Sequence, residues 1–591
     1  MENKEIKYTW DLSHMYETVE SWQEDTKEIK VIAGKILSLK DSITTSAATL
    51  LSVLNLNDEL GIKLTKVYVY AKMFFDQDMS KREAKELYET ADSLHTKIND
   101  QLAFLEPELL NLNPETFAQY AQAEPKLLTY QHMFEKLFKK KSHIFTTEIE
   151  EILAKLNALG SSFEKIYDDM TVNDVQYPQV RDSAGNTIVA NNSNYYKALI
   201  SQDRTLRKNF FKGLLGTYGK YINSITSAYY GSVKHDVYLA KARKYKSARE
   251  MALAESFIPL NVYDNLITTV KKNAKVLQDY VNFRQKALKL KNIHFYDLFV
   301  PLVKNLDKTY SYEDAQELVL QATSVLGSDY TAVLKEAFTK RWIDVFPGKN
   351  KVSGAYAIEA YGYHPYSLLN FTGTLGDVFT IAHELGHVMH SYYSSQNQPF
   401  VDSDYTIFTA EVASTVNEQL LFNYLMNNSA SPKEQALLLS NHLDNIRSTL
   451  FRQTLFADFE SQTHQMVEEE QPLLPDLLCE LHKSLYEEYH GHNFIIDEEL
   501  GFEWARIPHF YRSFYVYQYA TGVSAALSIA NKILTKEKAA VENYRKFLTM
   551  GGSDYSINLL KIAGVDMASP APIIDALNNF TKTFHKLKKL T

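Results

Sequence analysis

The 591-residue sequence holds a single cysteine, Cys479, which excludes an intrachain disulfide and favours a reducing, cytoplasmic compartment. Glycine and proline are also few, 21 and 15, and a long chain with so few breakers tends to be helical. No uninterrupted apolar run approaches the ~20 residues a membrane span needs. The opening MENKEIKYTWDL is charged and polar where a secretory leader is apolar. Positive charge is in deficit: 63 Lys and Arg face 72 Asp and Glu, a net charge of −9, which argues against a nucleic-acid partner. The basic run Lys139-Lys140-Lys141 reads as a solvated helix end or loop. Aromatic residues are abundant instead, with 39 Tyr and 31 Phe in a chain that is 45% hydrophobic and 23% charged. That is a globular composition, and its length exceeds what one hydrophobic core usually organises, so more than one lobe is expected.

From about Ser13 to Met170 apolar residues recur at three- and four-residue spacing, as in Leu50, Leu51, Val53, Leu54, then Leu60, Ile62, Leu64, Val67. That period predicts helices. Between Val172 and Ala190 the pattern changes: Val175, Tyr177 and Ile188, Val189 flank Asp182-Ser-Ala-Gly185-Asn186, which predicts a small β-hairpin. Helix resumes to about Leu290. A second β-like patch spans Gly354 to Thr374, with a Gly362-Tyr-His-Pro365 turn at its centre. Helix follows almost to the end, broken once at Gly551-Gly552-Ser553-Asp554. The chain therefore reads as mainly α, with a small sheet placed immediately before the segment that carries chemistry.

That segment is Thr380-Ile-Ala-His383-Glu384-Leu-Gly-His387-Val-Met-His390. On a helix, residues four apart share a face about 6 Å apart, so two imidazoles at this spacing can converge on one tetrahedral metal ion. Glu384 sits beside the first histidine, placed to take a proton from a water activated by Zn²⁺. Phe379, Ile381, Ala382, Leu385, Val388 and Met389 make the helix apolar enough to be buried, and two histidines and a glutamate are costly there without a partner. A pair of hydrogen-bonded core histidines is the bland alternative. A peptidase zinc needs a third protein ligand. Position 393 is Tyr393, which excludes the motif that extends to a third histidine. Downstream, Ile407-Phe-Thr-Ala-Glu411 through Glu418 is again helical, and Glu411 is the expected third ligand. Glu418, two turns further along nearly the same face, fits either an outer carboxylate or the ligand itself. Asp402 and Asp404 are weaker candidates, because the connecting loop is short. His390 reads as a packing or outer residue.

Peptide hydrolysis also builds negative charge on the carbonyl oxygen, for which a Tyr or His donor is expected from another segment. The richest stretch is Arg506-Ile-Pro-His509-Phe-Tyr511-Arg512-Ser-Phe-Tyr515-Val-Tyr517-Gln-Tyr519-Ala-Thr-Gly522. Its phenols fit either that role or amphipathic packing.

Taken in order, these segments resemble the oligoendopeptidase F branch of the thimet-oligopeptidase family of zinc metallopeptidases. The carrying residues are His383-Glu-Leu-Gly-His387, Phe408-Thr-Ala-Glu411-Val-Ala-Ser-Thr and His509 through Gly522. Supporting ones are Tyr8-Thr-Trp10-Asp-Leu12, Leu239-Ala-Lys-Ala-Arg243-Lys-Tyr245-Lys-Ser247, and Gly551-Gly-Ser-Asp554 before Ala563-Gly-Val-Asp566-Met567. The resemblance thus spans almost the whole chain. It implies one Zn²⁺ per chain held by His383, His387 and Glu411, with Glu384 as general base. It implies that His509 and a tyrosine at or near Tyr515 contact substrate or stabilise the oxyanion, with Tyr519 also against the substrate. In the thimet branch the His-to-Tyr spacing is one residue shorter, where this chain has Phe514, so the match is shifted by one. The implied fold is a two-lobed helical body enclosing a deep substrate channel, which restricts substrates to short unfolded oligopeptides. Strand residues about Gly354 and Ala355 would bind the substrate backbone by edge pairing. An N-terminal helical lobe over 1–200 and a catalytic domain over 201–591 are expected, with no nucleic-acid or membrane partner.

Two other readings compete. A carboxypeptidase on a similar body would need a basic residue for the substrate carboxylate, and Arg506 or Arg512 could serve. A helical peptide-binding protein with a coincidental motif would hold no stoichiometric zinc.

Overall fold

The structure, a computed structural model, describes residues 6–303, 308–429 and 431–591. It is mainly α, with about 72% of residues helical and only small sheets. Contacts group the chain into two compact units. The first is assembled from Met1–Ile144, Lys308–Tyr424 and Ile529–Gly564, the second from Phe145–Asp307, Leu425–Ser528 and Val565–Thr591.

The first unit begins with three long helices, Val19–Leu37, Ala47–Gln77 and Arg82–Leu102. The first two start where a hydroxyl can satisfy a free amide: Thr18 accepts from the Ser21 N–H and Ser46 from that of Thr49. The third buries Ala84, Leu87, Ala91, Leu94 and Ile98, a stripe at three- and four-residue spacing. Leu50, Val53, Leu54, Leu60, Leu64 and Val67 are buried, as their period predicts, and the Trp22 indole donates to the Val67 carbonyl at 3.0 Å. The same core takes in Ala360, Tyr366 and Leu368 from the β patch.

That patch is a three-stranded sheet. Tyr366–Leu368 lies in the middle, parallel to Ile343–Asp344 and antiparallel to Tyr356–Ile358, with Tyr356 opposite Leu368 and Ile358 opposite Tyr366. Tyr356–Ile358 is therefore an edge strand. The Ile343–Asp344 strand lay outside the sequence reading because two residues carry no period.

The second unit carries the hairpin, Gln179–Arg181 paired antiparallel with Thr187–Val189. Val175 and Tyr177 precede the strand rather than form it: residues 169–174 are wound as a π-turn, and the Tyr177 hydroxyl donates to the Thr171 carbonyl at 2.9 Å. A two-residue parallel pair, Ile293–His294 with Phe494–Ile495, is the other sheet of this unit among the described residues. Buried charge ties its helices together. Glu503, fully buried, accepts from Arg452 Nη2 at 2.5 Å and from the Tyr486 hydroxyl at 2.5 Å, and lies 3.1 Å from His482 Nε2. These contacts anchor the 3₁₀ run Glu498–Arg506, which leads into Pro508–Tyr511.

Candidate metal centre and aromatic cluster

The helix Leu375–Asn397 starts at a capping box: Thr374 accepts from the Asp377 N–H, and the Asp377 carboxylate accepts from the Thr374 N–H at 2.9 Å. Its apolar positions Val378, Ile381, Ala382, Leu385, Val388 and Met389 are all buried. Against it lies the helix Ile407–Asn428. Two features set that approach. Asn417 donates to the Ala382 carbonyl at 3.2 Å while accepting from the Tyr330 hydroxyl at 3.1 Å. At Gly386 a Cβ would stand 2.4 Å from Ser414 Cα and 2.7 Å from the Ala413 oxygen. The glycine inside the H-E-L-G-H motif is thus what lets the two backbones meet.

The approach brings His383, His387 and Glu411 together, with one ligand atom from each lying within 4.8 Å of the others. Among the described residues no other group of three His, Cys, Asp or Glu side chains meets that condition. His383 Nε2 is 3.4 Å and His387 Nε2 is 3.9 Å from the same Glu411 oxygen, and the two rings stand nearly perpendicular with centroids 5.0 Å apart. The opposite nitrogen of His383, Nδ1, lies 2.5 Å from Glu418 Oε1. A carboxylate on Nδ1 fixes the tautomer and leaves Nε2 free to bind an ion. Two imidazole nitrogens, one carboxylate and an anchored tautomer are the donor set of a zinc site with an open position, so these residues fit the metal. Glu418 falls behind His383, outside the three-atom cluster. Asp402 and Asp404 are not in it either.

Electrostatics follow from burial and from the three carboxylates. Burial resists a charge on His383, but Glu411 and Glu418 overcome it and push its pKa up to about 10. His387 is held down to about 4 by burial and by the neighbouring His383, which outweigh the opposing Glu411. Glu384 is buried, and desolvation reinforced by Glu411 and Glu418 outweighs His383 to raise its carboxyl to about 7. A carboxylate poised near neutrality suits a general base. His390 is fully buried, held down to about 3 by desolvation, and stacked on Tyr405 with centroids 3.7 Å apart. It packs, as its spacing suggests.

The aromatic stretch belongs to the second unit and forms a cluster of its own. His509, Tyr515 and Tyr519 meet with centroids 6.2, 6.1 and 5.5 Å apart. All three are half-buried, whereas Tyr517 between them is buried against Tyr263. Burial, then Arg512, Arg452 and Arg506, lowers the His509 pKa and so disfavours its charged form. Of the two arginines that a carboxypeptidase would use, the exposed Arg512 donates through Nε to Glu164 at 3.4 Å, and the Arg506 guanidinium lies 4.2 Å over the Tyr195 ring. Gly354 is exposed at φ +87°, with its carbonyl accepting from the Asn370 amide at 2.8 Å, and Ala355 follows it into the edge strand.

No helix among the described residues is long and apolar enough to cross a membrane. Comparison with known proteins agrees with the resemblance read from the motifs. The model for peptidase family M3 matches residues 198–579, and that described as oligopeptidase F matches residues 108–177. The chain is 38% identical to oligopeptidase PepF of Bacillus subtilis, over 98% of this chain and 87% of that one. It is 34% identical to group B oligopeptidase PepB of Streptococcus agalactiae, over 99% and 97%. The crystal structure of oligoendopeptidase-F from Enterococcus faecium superposes with a TM-score of 0.75 at 31% identity, covering 97% of this chain and 99% of that one. With the histidine pair, its acidic partner and the full-length likeness together, the chain belongs to peptidase family M3 and is a metalloendopeptidase of the oligoendopeptidase F type.

Proposed function

We propose that the chain is a zinc-dependent endopeptidase that cuts internal bonds of short unfolded oligopeptides, with one Zn²⁺ held by His383, His387 and Glu411. The observation that carries this reading is the convergence of those three donors beside the buried Glu384. When bound, the ion supplies Lewis acidity toward a water and a peptide carbonyl. Glu384, adjacent to His383 yet not among the three donors, takes the proton of the attacking water and delivers it to the leaving amide nitrogen. Glu418 holds the His383 ring in the tautomer that binding needs. His509 and Tyr515 donate hydrogen bonds to the developing oxyanion. Tyr519 contacts the substrate side chains. Gly354 and Ala355, entering the edge strand Tyr356–Ile358, pair with the substrate backbone as an added strand.

All the residues given a role lie within 201–591, so we take that segment as the catalytic part and 1–200 as an N-terminal helical part, although both compact units draw on chain from either side of residue 200. We place the enzyme in the cytoplasm, because a lone cysteine suits a reducing compartment.

The test is metal content and hydrolysis of a doubly blocked, quenched fluorogenic peptide by wild type and Glu384→Gln side by side. About one zinc per chain in both, with cleavage in wild type alone, is expected. Absence of zinc from the wild type, or cleavage that persists in the variant, would refute the reading.

A further inference from the structure

Phe514 precedes Tyr515 directly and adopts φ +57°, the left-handed region that side chains other than glycine seldom occupy. Of the eight other non-glycine residues with positive φ among those described, Lys244, Lys289, Arg341, Glu470 and Lys536 each stand two residues past the end of an α-helix, where that conformation is a routine stop, while Asp41 and Phe257 follow a helix by three or four residues and Ala539 precedes one. Phe514 ends no α-helix. It lies between the 3₁₀ turn Pro508–Tyr511, which carries His509, and the helix Tyr517–Leu534, which carries Tyr519.

Two acids from two other helices, Glu460 buried and Asp236 half-buried, grip this point. Glu460, on the helix Arg452–Glu468, accepts the Phe514 N–H through Oε1 at 2.7 Å. Asp236, on the helix Ile222–Ala242, accepts the Ser513 hydroxyl in a short hydrogen bond. Glu460 is fully buried, and its other oxygen has no hydrogen-bond partner among the described residues. A carboxyl placed so deep, with half its acceptors unused, is expensive to keep, and the one amide it serves is that of the left-handed residue. His464 completes the clamp: its Nδ1 lies 2.8 Å from the Glu460 carbonyl, its Nε2 3.5 Å from Asp236, and its ring 4.6 Å from that of Phe514. Tyr263 also packs edge-on against the Phe514 ring, with centroids 5.8 Å apart.

We propose that Glu460 and Asp236 are positioning residues for peptide hydrolysis: they hold the Ser513–Phe514 turn in its left-handed form and so set where Tyr515 stands beside His509. The proposal rests on the reading that Tyr515 acts on the substrate. It assigns to Glu460 and Asp236, which bond to the Ser513–Phe514 turn, a duty that a purely structural acid would not have.

The experiment uses the zinc-loaded full chain and the doubly blocked fluorogenic peptide. Glu460→Met keeps the bulk and removes the acceptor; it should lower kcat about tenfold or more while KM moves less than about threefold. Hydrogen exchange in peptides covering 507–516 should quicken in the same variant. Glu460→Gln keeps an acceptor oxygen and should retain wild-type kcat. Adding Phe514→Gly to Glu460→Met supplies a residue at ease with positive φ and should restore kcat at least about threefold, a rescue that general destabilisation would not show. Ser513→Ala, a mild change that leaves the core intact, should lower kcat about threefold or more at an unchanged unfolding temperature. Folded Glu460→Met or Ser513→Ala enzyme with wild-type kcat overturns the clamp, as does a loss of kcat that Phe514→Gly leaves untouched. Tyr515→Phe separates the two possible failures. Full activity there overturns the role of Tyr515 and the positioning claim with it; reduced activity there, beside a fully active Glu460→Met, overturns the clamp alone.

Discussion

Replacing Gly386 by alanine would drive one methyl group into the backbone of the neighbouring helix. An ideal Cβ at that position lies 2.4 Å from Ser414 Cα, 2.7 Å from the Ala413 oxygen and 2.7 Å from the Ser414 nitrogen. Carbon–carbon contact becomes comfortable near ~3.5 Å, so the helices must part by roughly 1 Å. None of the three obstructing atoms belongs to a side chain that could rotate away. Overpacking costs about 1–3 kcal/mol, and a clash of backbone against backbone belongs at the upper end. The displacement acts on the site itself, because Gly386 adjoins His387 and Ser414 is three residues from Glu411. A ligand constellation tolerates about 0.5 Å, so zinc affinity should fall by roughly 10–100-fold. Gly376→Ala in the same helix is the control: its Cβ would meet only the Thr374 hydroxyl at 3.5 Å, and glycine-to-alanine in a helix gains up to ~1 kcal/mol. Competition with a chromophoric zinc chelator reads the affinity, and thermal unfolding with and without zinc reads the stability. Wild-type zinc affinity in folded Gly386→Ala would refute the idea that this close approach sets the ligand spacing.

Other expectations concern the same residues and the clamp. Glu411→Ala should lose zinc by metal analysis of the dialysed protein, and retention of one zinc would move the ligand role to Glu418. Glu418→Gln should weaken zinc by about 10–100-fold in the chelator competition while still binding it, as for an outer carboxylate on a metal-binding histidine. Burial, with Asp236 adding to it and His464 and the Phe514 N–H opposing, raises Glu460 to about 8, against ~4.3 in an unfolded chain. The folded state then binds the extra proton, so the acid's contribution to stability is complete below about pH 4 and drains away as pH rises toward 8. Glu460→Gln should therefore gain on wild type by about 1–3 °C in unfolding midpoint between pH 5 and pH 8; a constant difference across that range would contradict the assigned shift.

Periodicity carried most of the helical architecture. The spacing of Leu50, Val53, Leu54, Leu60 and Leu64 marks a buried stripe, because a 3.6-residue repeat sustained over so long a run puts every apolar side chain on one helix face. The three-atom cluster was legible for a similar reason: the helix repeat fixes His383 against His387 without help from the tertiary structure. Glu411 and Glu418 were harder to tell apart, since both lie on one helical face. Only the approach at Gly386 and Asn417 decides which one meets both imidazoles and which one lies behind His383 on Nδ1. The two-residue strands Ile343–Asp344, Ile293–His294 and Phe494–Ile495 carry too little pattern to be read. Val175 and Tyr177 looked like strand because alternation over so few residues cannot distinguish a strand from a π-turn with a tyrosine folded back on it. Nothing in the one-dimensional string ties Glu460 or Asp236 to Phe514, which lie 54 and 278 positions away; a left-handed phenylalanine and its distant braces are tertiary facts.

The threading of each compact unit through three stretches of chain bears on how the protein is made. The first unit begins at Met1 but is not complete until Gly564 has been added. At ribosomal rates of about 5–20 residues per second, the 420 residues between Ile144 and Gly564 take on the order of 20–80 s to emerge. For about the first half of that interval the opening helices are on display with their apolar stripes only partly covered, until Ala360, Tyr366 and Leu368 emerge. The Gly551-Gly552 turn, whose Gly552 N–H donates to the Asp402 carbonyl at 2.8 Å, arrives later still. Nascent chains stalled before residue 564 should thus be recognised by chaperones as unfinished and be readily cut by proteases. Neither unit is an uninterrupted stretch that could be cloned by trimming one end, so truncation is a poor route to an isolated lobe, whereas circular permutation at an exposed loop keeps every segment.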